Sequence, residues 1–174
     1  MRPQLSEKLQ KIQLLLLDVD GVLTDGTIIY NDSGMETKTF SVKDGFGIRL
    51  LMNNGIQVGI VTGRSSRALQ CRCENLGIDL VFDGIADKAK ALEEIIRQTG
   101  RDVQEIAFMG DDLPDLPIMN RVGVSIAVAD AHTHVRSQSD LVTSANGGRG
   151  AVREICEAIL NAKGLWNTIL DTYQ

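Results

Sequence analysis

Asp18 and Asp20 stand two residues apart in LLLLDVDGVLTDG (14–26), directly behind four leucines. An apolar run of that length reads as a buried strand, and carboxylates are rarely placed at its end without a partner, because burying an unpaired charge is costly. In extended backbone, residues i and i+2 face the same way, so the two carboxylates are expected to share one site. Carboxylates sharing a site repel unless a cation intervenes or one keeps its proton. Asp111, in GDDLPD (110–115), follows another apolar run and adds a third oxygen donor. Such a set suits Mg²⁺, which is commonly held by a couple of carboxylates together with water and substrate phosphate. The competing reading is that Asp18, Asp20 and Asp111 are three unrelated loop aspartates.

Two further residues supply the opposite sign. Lys88 opens a helical window, where the helix dipole disfavours a cation, and so hints at a nearby anion. Thr62, in VTGR (61–64), sits at a strand-to-helix turn, where hydroxyl and backbone N–H groups form an anion cradle. Metal-held carboxylates, a hydroxyl and a lysine together fit phosphoryl transfer to an aspartate.

The elements that must position these groups follow from the apolar pattern. Residues 13–17, 56–61, 79–82, 105–109, 124–128 and 140–142 read as strands, most of them short and buried. Between them, 45–54 (capped by Asp44), a window opened by Ser65 and stopped by Gly77, 88–98, 114–121 and 150–163 read as helices. TIIY (27–30) and ETKTF (36–40) flank NDSG and read as a hairpin. Buried runs alternating with helices predict an α/β fold with a doubly wound, Rossmann-like parallel sheet, whose ligands bind beyond the carboxyl ends of the strands. Asp18, Thr62-Gly63-Arg64 and Asp111-Asp112 all fall at that rim.

The 174 residues suit one well-cored domain, 1–174, with the hairpin as an insertion over about 26–41 and a tail over about 164–174. A net charge of −5 argues against a nucleic-acid surface. The N-terminus lacks the apolar core of a signal peptide, and no apolar run approaches the ~18 residues a membrane span needs. Three cysteines, an odd number, are most simply kept reduced in a cytoplasm. Cys71 and Cys73 would not share a helical face and have no second pair, so zinc is not expected. His132 and His134 lie in a loop-like stretch and read as solvated.

DVDGVLTDG, VTGR, DK (87–88) and GDDLPD, in that order, resemble the four motifs of the haloacid-dehalogenase phosphatase superfamily. GVLTDGTIIYNDSGMETKTFSVKDGFGIRLL and GGRGAVREIC are similar to its 3-deoxy-D-manno-octulosonate 8-phosphate (KDO 8-phosphate) phosphatase branch, which extends the likeness over nearly the whole chain. The resemblance implies that Asp18 is the nucleophile and that Asp20 first protonates the departing sugar oxygen, then activates the hydrolytic water. It implies that Mg²⁺ is held by the Asp18 carboxylate, the Asp20 backbone carbonyl and Asp111, and steadied by Asp112 and Asp115. Thr62, Gly63 and Lys88 would grip the phosphoryl group. The product would be free KDO for lipopolysaccharide.

Only about thirty-five residues separate the first motif from TGR, too few for the cap domain of many relatives, so a capless type is expected. The resemblance further implies a homotetramer in which hairpins associate and neighbours help to close each site. A hairpin packed only on its own domain is the alternative. Arg64 is placed to pair with the carboxylate of a sugar acid. By resemblance, arginine there marks eight-carbon acids and glutamate nine-carbon ones. Lys43 and Arg72 are further candidates for a substrate or subunit contact. Gly147-Gly148-Arg149-Gly150 is either a connection or a loop whose N–H groups approach an anion. The tail docks on its own domain or reaches a neighbour's site. Alternatives for the whole chain are a phosphatase of another sugar acid, nine-carbon sialic-type included, a receiver-like domain that keeps its phosphoryl group, or an idle assembly module. Asp20 separates turnover from the receiver reading.

Overall fold

The computed structural model describes residues 3–173, so Met1, Arg2 and the tail's last residue, Gln174, lie outside the described residues. Six parallel strands form one sheet in the order β5-β4-β1-β6-β7-β8: β1 (Leu14–Leu17), β4 (Gln57–Val61), β5 (Leu80–Phe82), β6 (Ile106–Gly110), β7 (Val124–Ala127) and β8 (Leu141–Val142). β1 is central and pairs with β4 on one side, Leu17 opposite Ile60, and with β6 on the other, Leu17 opposite Met109. All four β1 leucines are fully buried, which stabilises the fold by about 1.5–3 kcal/mol per side chain. The winding reverses beside β1, so the crevice of this doubly wound sheet opens at the end of the strand that carries Asp18.

Helices cover both faces. α2 (Val42–Asn53) packs against α7 (Ala151–Ala162) and α3 (Arg67–Leu76), and α1 (Pro3–Lys11) packs against α7. α4 (Lys88–Thr99) packs against α5 (Leu116–Met119). Gly77 and Gly100 end α3 and α4 in the left-handed conformation, as their positions predict.

Several expectations are corrected. Asp44 does not cap α2: the helix starts earlier, and Ser41 is its N-cap, accepting the Asp44 N–H. Asp44 instead lies buried in the first turn and accepts N–H bonds from Gly150 (3.2 Å) and Arg153 (2.8 Å), so it caps the neighbouring helix α7. α3 begins after Ser66, not Ser65. The hairpin strands shrink to β2 (Ile29–Tyr30) and β3 (Glu36–Thr37), because most of the hairpin is exposed and lacks a sheet to extend it. Residues 133–138, expected as loop, form a helix, α6, whose N-cap is His132, yet both histidines remain exposed. The pattern predicted no element for 3–11, now α1, and the tail gains a helix, α8 (Trp166–Asp171).

The tail docks on its own chain. Ile169 is buried, Tyr173 meets Phe46 edge to face at 6.0 Å, and the Arg153 guanidinium lies over Phe46 and Trp166. Among the described residues, no helix is long and apolar enough to cross a membrane.

Candidate active site

The strand ends bring a carboxylate cluster together at the crevice. Asp18 follows β1 and continues its ladder, donating its N–H to Met109 O at 3.0 Å. Asp111 follows β6, and Asp115 lies one turn on, accepting the N–H groups of Asp111 (2.9 Å) and Asp112 (3.2 Å). Oxygens of Asp18, Asp111 and Asp115 lie within 4.8 Å of one another. The close approach depends on Gly21, whose φ is +90° and where a Cβ would stand 2.1 Å from Asp111 Oδ2.

Lys88 is the counter-charge. Asp87 caps α4 and accepts the N–H groups of Ala89 and Lys90, which places Lys88 at the first helical position. Its side chain is 5% exposed, and its Nζ reaches Asp18 at 2.9 Å and Asp115 at 2.5 Å. Burial works against its charge, but the two aspartates outweigh burial and raise its pKa. One lysine does not balance three carboxylates. Burial, then the Asp115 charge, push the Asp18 carboxyl up to about 6, although Lys88 pulls the other way. Burial, then Asp115 and Asp18, push Asp111 up to about 8. Carboxyls held this high near neutral pH make a set that a divalent cation fits, since hard oxygen donors at this separation are what Mg²⁺ takes.

Thr62, Gly63 and Arg64 follow β4, and Thr62 is buried with its backbone tied to Phe82 O and Ile85 N. With Asp18, Asp20, Lys88, Asp111, Asp112 and Asp115 they line one cleft of about 300 Å³. A phosphoryl group seated there would meet a buried carboxylate and a buried threonine at two strand ends and a buried lysine at the start of α4.

Residues 78–155 match the haloacid dehalogenase-like hydrolase family. The chain is 44% identical to the 3-deoxy-D-manno-octulosonate 8-phosphate phosphatase KdsC of Salmonella typhimurium, over 93% of this chain and 86% of that protein. The chain belongs to the KDO 8-phosphate phosphatase family. Two solved structures of that name superpose closely. The Yersinia pestis protein does so with a TM-score of 0.94 at 42% identity, covering 95% of this chain and 89% of its own. The Moraxella catarrhalis protein, in complex with magnesium, phosphate and KDO, gives 0.97 at 41% identity, with both chains fully covered. The capless architecture expected of this KDO 8-phosphate phosphatase relative holds, since a short hairpin and α2 fill the chain between β1 and β4.

Other predicted residues lie outside the three-carboxylate cluster, although Asp20, Arg64 and Asp112 still line its cleft. Asp20 shares the cleft with Asp18, as expected, but its carboxylate is not among the three clustered ones, because the backbone turns directly after Asp18 instead of staying extended. Lys38, from the hairpin, hydrogen-bonds Asp20 Oδ1 and lies 2.8 Å from Glu36. Arg64 bonds Glu36 and, at 3.3 Å, the Tyr30 hydroxyl. Its Nε stands 3.4 Å from Asp20 Oδ2, within ion-pair reach but off the hydrogen-bond direction, so both atoms lack a hydrogen-bond partner. Asp112 is exposed and caps the short turn at Leu113. Asp25 binds Thr27 N–H and Arg149 away from the cluster. Lys43 lines a separate hollow with Asp25, Phe40 and Arg149, and Arg72 donates to Ser41 O and lies over Phe40.

The N–H groups of Gly147, Gly148 and Gly150 go to Asp130, Val22 and Asp44, so this loop buttresses the turn after β1. A Cβ at Gly147 would meet Gly21 O at 1.7 Å. Lys38, Glu36 and Tyr30 were not singled out from sequence. A signal for two of them was present: in ETKTF, Glu36 and Lys38 share one face of an extended strand, an acid–base pair on a short hairpin.

Proposed function

We propose that this chain is a Mg²⁺-dependent phosphatase that hydrolyses KDO 8-phosphate to KDO and inorganic phosphate through an aspartyl-phosphate at Asp18, in lipopolysaccharide synthesis. The observation that carries it is a buried Asp18 carboxylate held by Lys88 at the mouth of the switch-point crevice, in a chain 44% identical to a relative of that name.

In the first half-reaction, an Asp18 oxygen attacks phosphorus, and the bond from phosphorus to the sugar oxygen breaks. Asp20 gives that oxygen a proton. In the second, Asp20 takes a proton from the water that attacks the aspartyl-phosphate, which returns Asp18 and releases phosphate. The Asp18 carboxylate, the Asp20 backbone carbonyl and Asp111 would hold Mg²⁺, with Asp112 and Asp115 supporting. The ion supplies Lewis-acid stabilisation of charge on the phosphoryl oxygens. Lys88, Thr62 and Gly63 orient those oxygens, and Lys88 also offsets their charge. Arg64 meets the carboxylate of the sugar acid, for which a guanidinium is well shaped, and Lys43 and Arg72 serve as further substrate or subunit contacts.

The whole chain, 1–174, acts as one cytoplasmic domain in a homotetramer. Ile28, Ile29, Tyr30 and Met35 of the hairpin are exposed, which supports hairpin association between subunits. The deciding experiment is phosphate release from KDO 8-phosphate and a panel of other sugar phosphates, with Mg²⁺ and with EDTA. Strong, Mg²⁺-dependent preference for KDO 8-phosphate is expected. Preference for another sugar acid discards the substrate but keeps the chemistry. A lasting phosphoryl-aspartate without turnover moves the protein to the receiver class.

A further inference from the structure

The hairpin is exposed along most of its length, yet the Lys38 side chain at the end of β3 is only 3% exposed. An ammonium withdrawn from water in this way is costly unless carboxylates receive it in good geometry. Lys38 meets two, Asp20 and Glu36, and Glu36 is in turn held by Arg64. The contact is asymmetric. Lys38 engages Oδ1 of Asp20, while Oδ2 has no hydrogen-bond partner and only the Arg64 Nε, 3.4 Å away and off the hydrogen-bond direction, beside it. A buried carboxylate oxygen without a hydrogen bond beside a cleft of about 300 Å³ is unusual, since such atoms are nearly always satisfied.

We propose that Lys38 is a positioning residue for the proton transfer at Asp20: by occupying Oδ1 it fixes the carboxylate and leaves Oδ2 as the atom that carries the proton to and from the reaction. This rests on the reading of Asp20 as general acid and base. The hairpin thereby takes part in its own subunit's chemistry, through Lys38 directly and through Glu36, which anchors both Lys38 and Arg64. Proton transfer balances within the proposed scheme: Oδ2–H breaks as the sugar O–H forms, and the reverse transfer from water restores it.

The test uses the full chain with Mg²⁺, comparing KDO 8-phosphate, whose alkoxide leaving group needs a proton, with 4-nitrophenyl phosphate, which needs little. Lys38→Met is expected to lower kcat on KDO 8-phosphate by about 100-fold, as misplacing a reacting group by an ångström does, with KM nearly unchanged. The loss on 4-nitrophenyl phosphate is expected to be several-fold smaller. Adding Lys38→Met to Asp20→Asn should produce no further loss on either substrate. Equal losses on the two substrates, or full additivity with Asp20→Asn, overturn the proposal and make Lys38 a structural residue only. Asp20→Asn alone reports on the underlying reading: if it slows both substrates equally, Asp20 is not the acid, and the proposal falls with it. Should Lys38→Met fail to fold, Lys38→Arg decides. It keeps the charge but shifts the donors, so the same leaving-group-dependent loss is expected, and wild-type rates on both substrates overturn the proposal.

Discussion

At the scale of single residues, the site is a balance between what the fold tolerates and what the chemistry needs. Asp18 is buried beside Asp111 and Asp115, with Lys88 as the near counter-charge. Asp18→Asn removes the proposed attacking carboxylate and one of the repelling charges while preserving shape. Phosphate release is therefore expected to fall by roughly 10³-fold or more, whereas the metal-free melting temperature should be no lower than that of the wild type. Residual turnover near wild type would remove Asp18 from the nucleophile's role. The same residues show where sequence reasoning reached its limit. That Asp18 and Asp111 share a site was legible, because each ends an apolar run at the same rim. That Asp115 joins them while the Asp20 carboxylate does not came from sequence only as what the family resemblance implies, because it depends on the turn after β1 and on the turn after β6 folding back on Asp115.

At the scale of elements, the joint between α2 and α7 holds the rim in place. Asp44 belongs to α2 but satisfies N–H groups of Gly150 and Arg153 at the start of α7, where the chain itself offers only Gly150 as N-cap. Removing a cap of this kind costs about 1–2 kcal/mol, or roughly 2–8 °C in melting temperature for a chain of this size. Asp44→Ala is thus expected to lower the thermal transition by that amount and to leave kcat at low temperature within about twofold. A melting curve that does not move would mean that the cap carries no net stability. The sequence placed Asp44 at a helix start but assigned it to the wrong helix. Local pattern cannot tell a cap for residues three positions on from a cap for residues more than a hundred positions away.

At the scale of the whole molecule, stability and metal binding are linked through the carboxylates. Asp18 and Asp111 both hold their protons to a higher pH in the folded chain, to about 6 and about 8, than the ordinary value of 3.8. The folded state therefore binds more protons than the unfolded chain between 3.8 and those two values, and stability falls as the pH rises across that interval. In EDTA these two groups are expected to lower the melting temperature progressively from about pH 4 to about pH 8, more steeply below about pH 6, where both contribute. Mg²⁺ should raise it, and by more at the alkaline end, because its ligands must be deprotonated to bind. A Mg²⁺ effect that does not change with pH would separate the cluster from the metal site.

The sequence by itself determined the α/β class, the order of buried strands and helices, the capless layout, and the set of Asp and Thr at the strand ends with Lys at a helix start. These follow from local apolar periodicity and from motifs whose residues are close in the chain. Only the tertiary structure decided which carboxylates converge, that the hairpin returns Lys38 and Glu36 to Asp20 and Arg64, and that the glycine loop near residue 148 supports the turn after β1 instead of offering its N–H groups to an anion. Each of these is a contact between distant segments of the chain, fixed by sheet order and close backbone approach, to which no local pattern is sensitive.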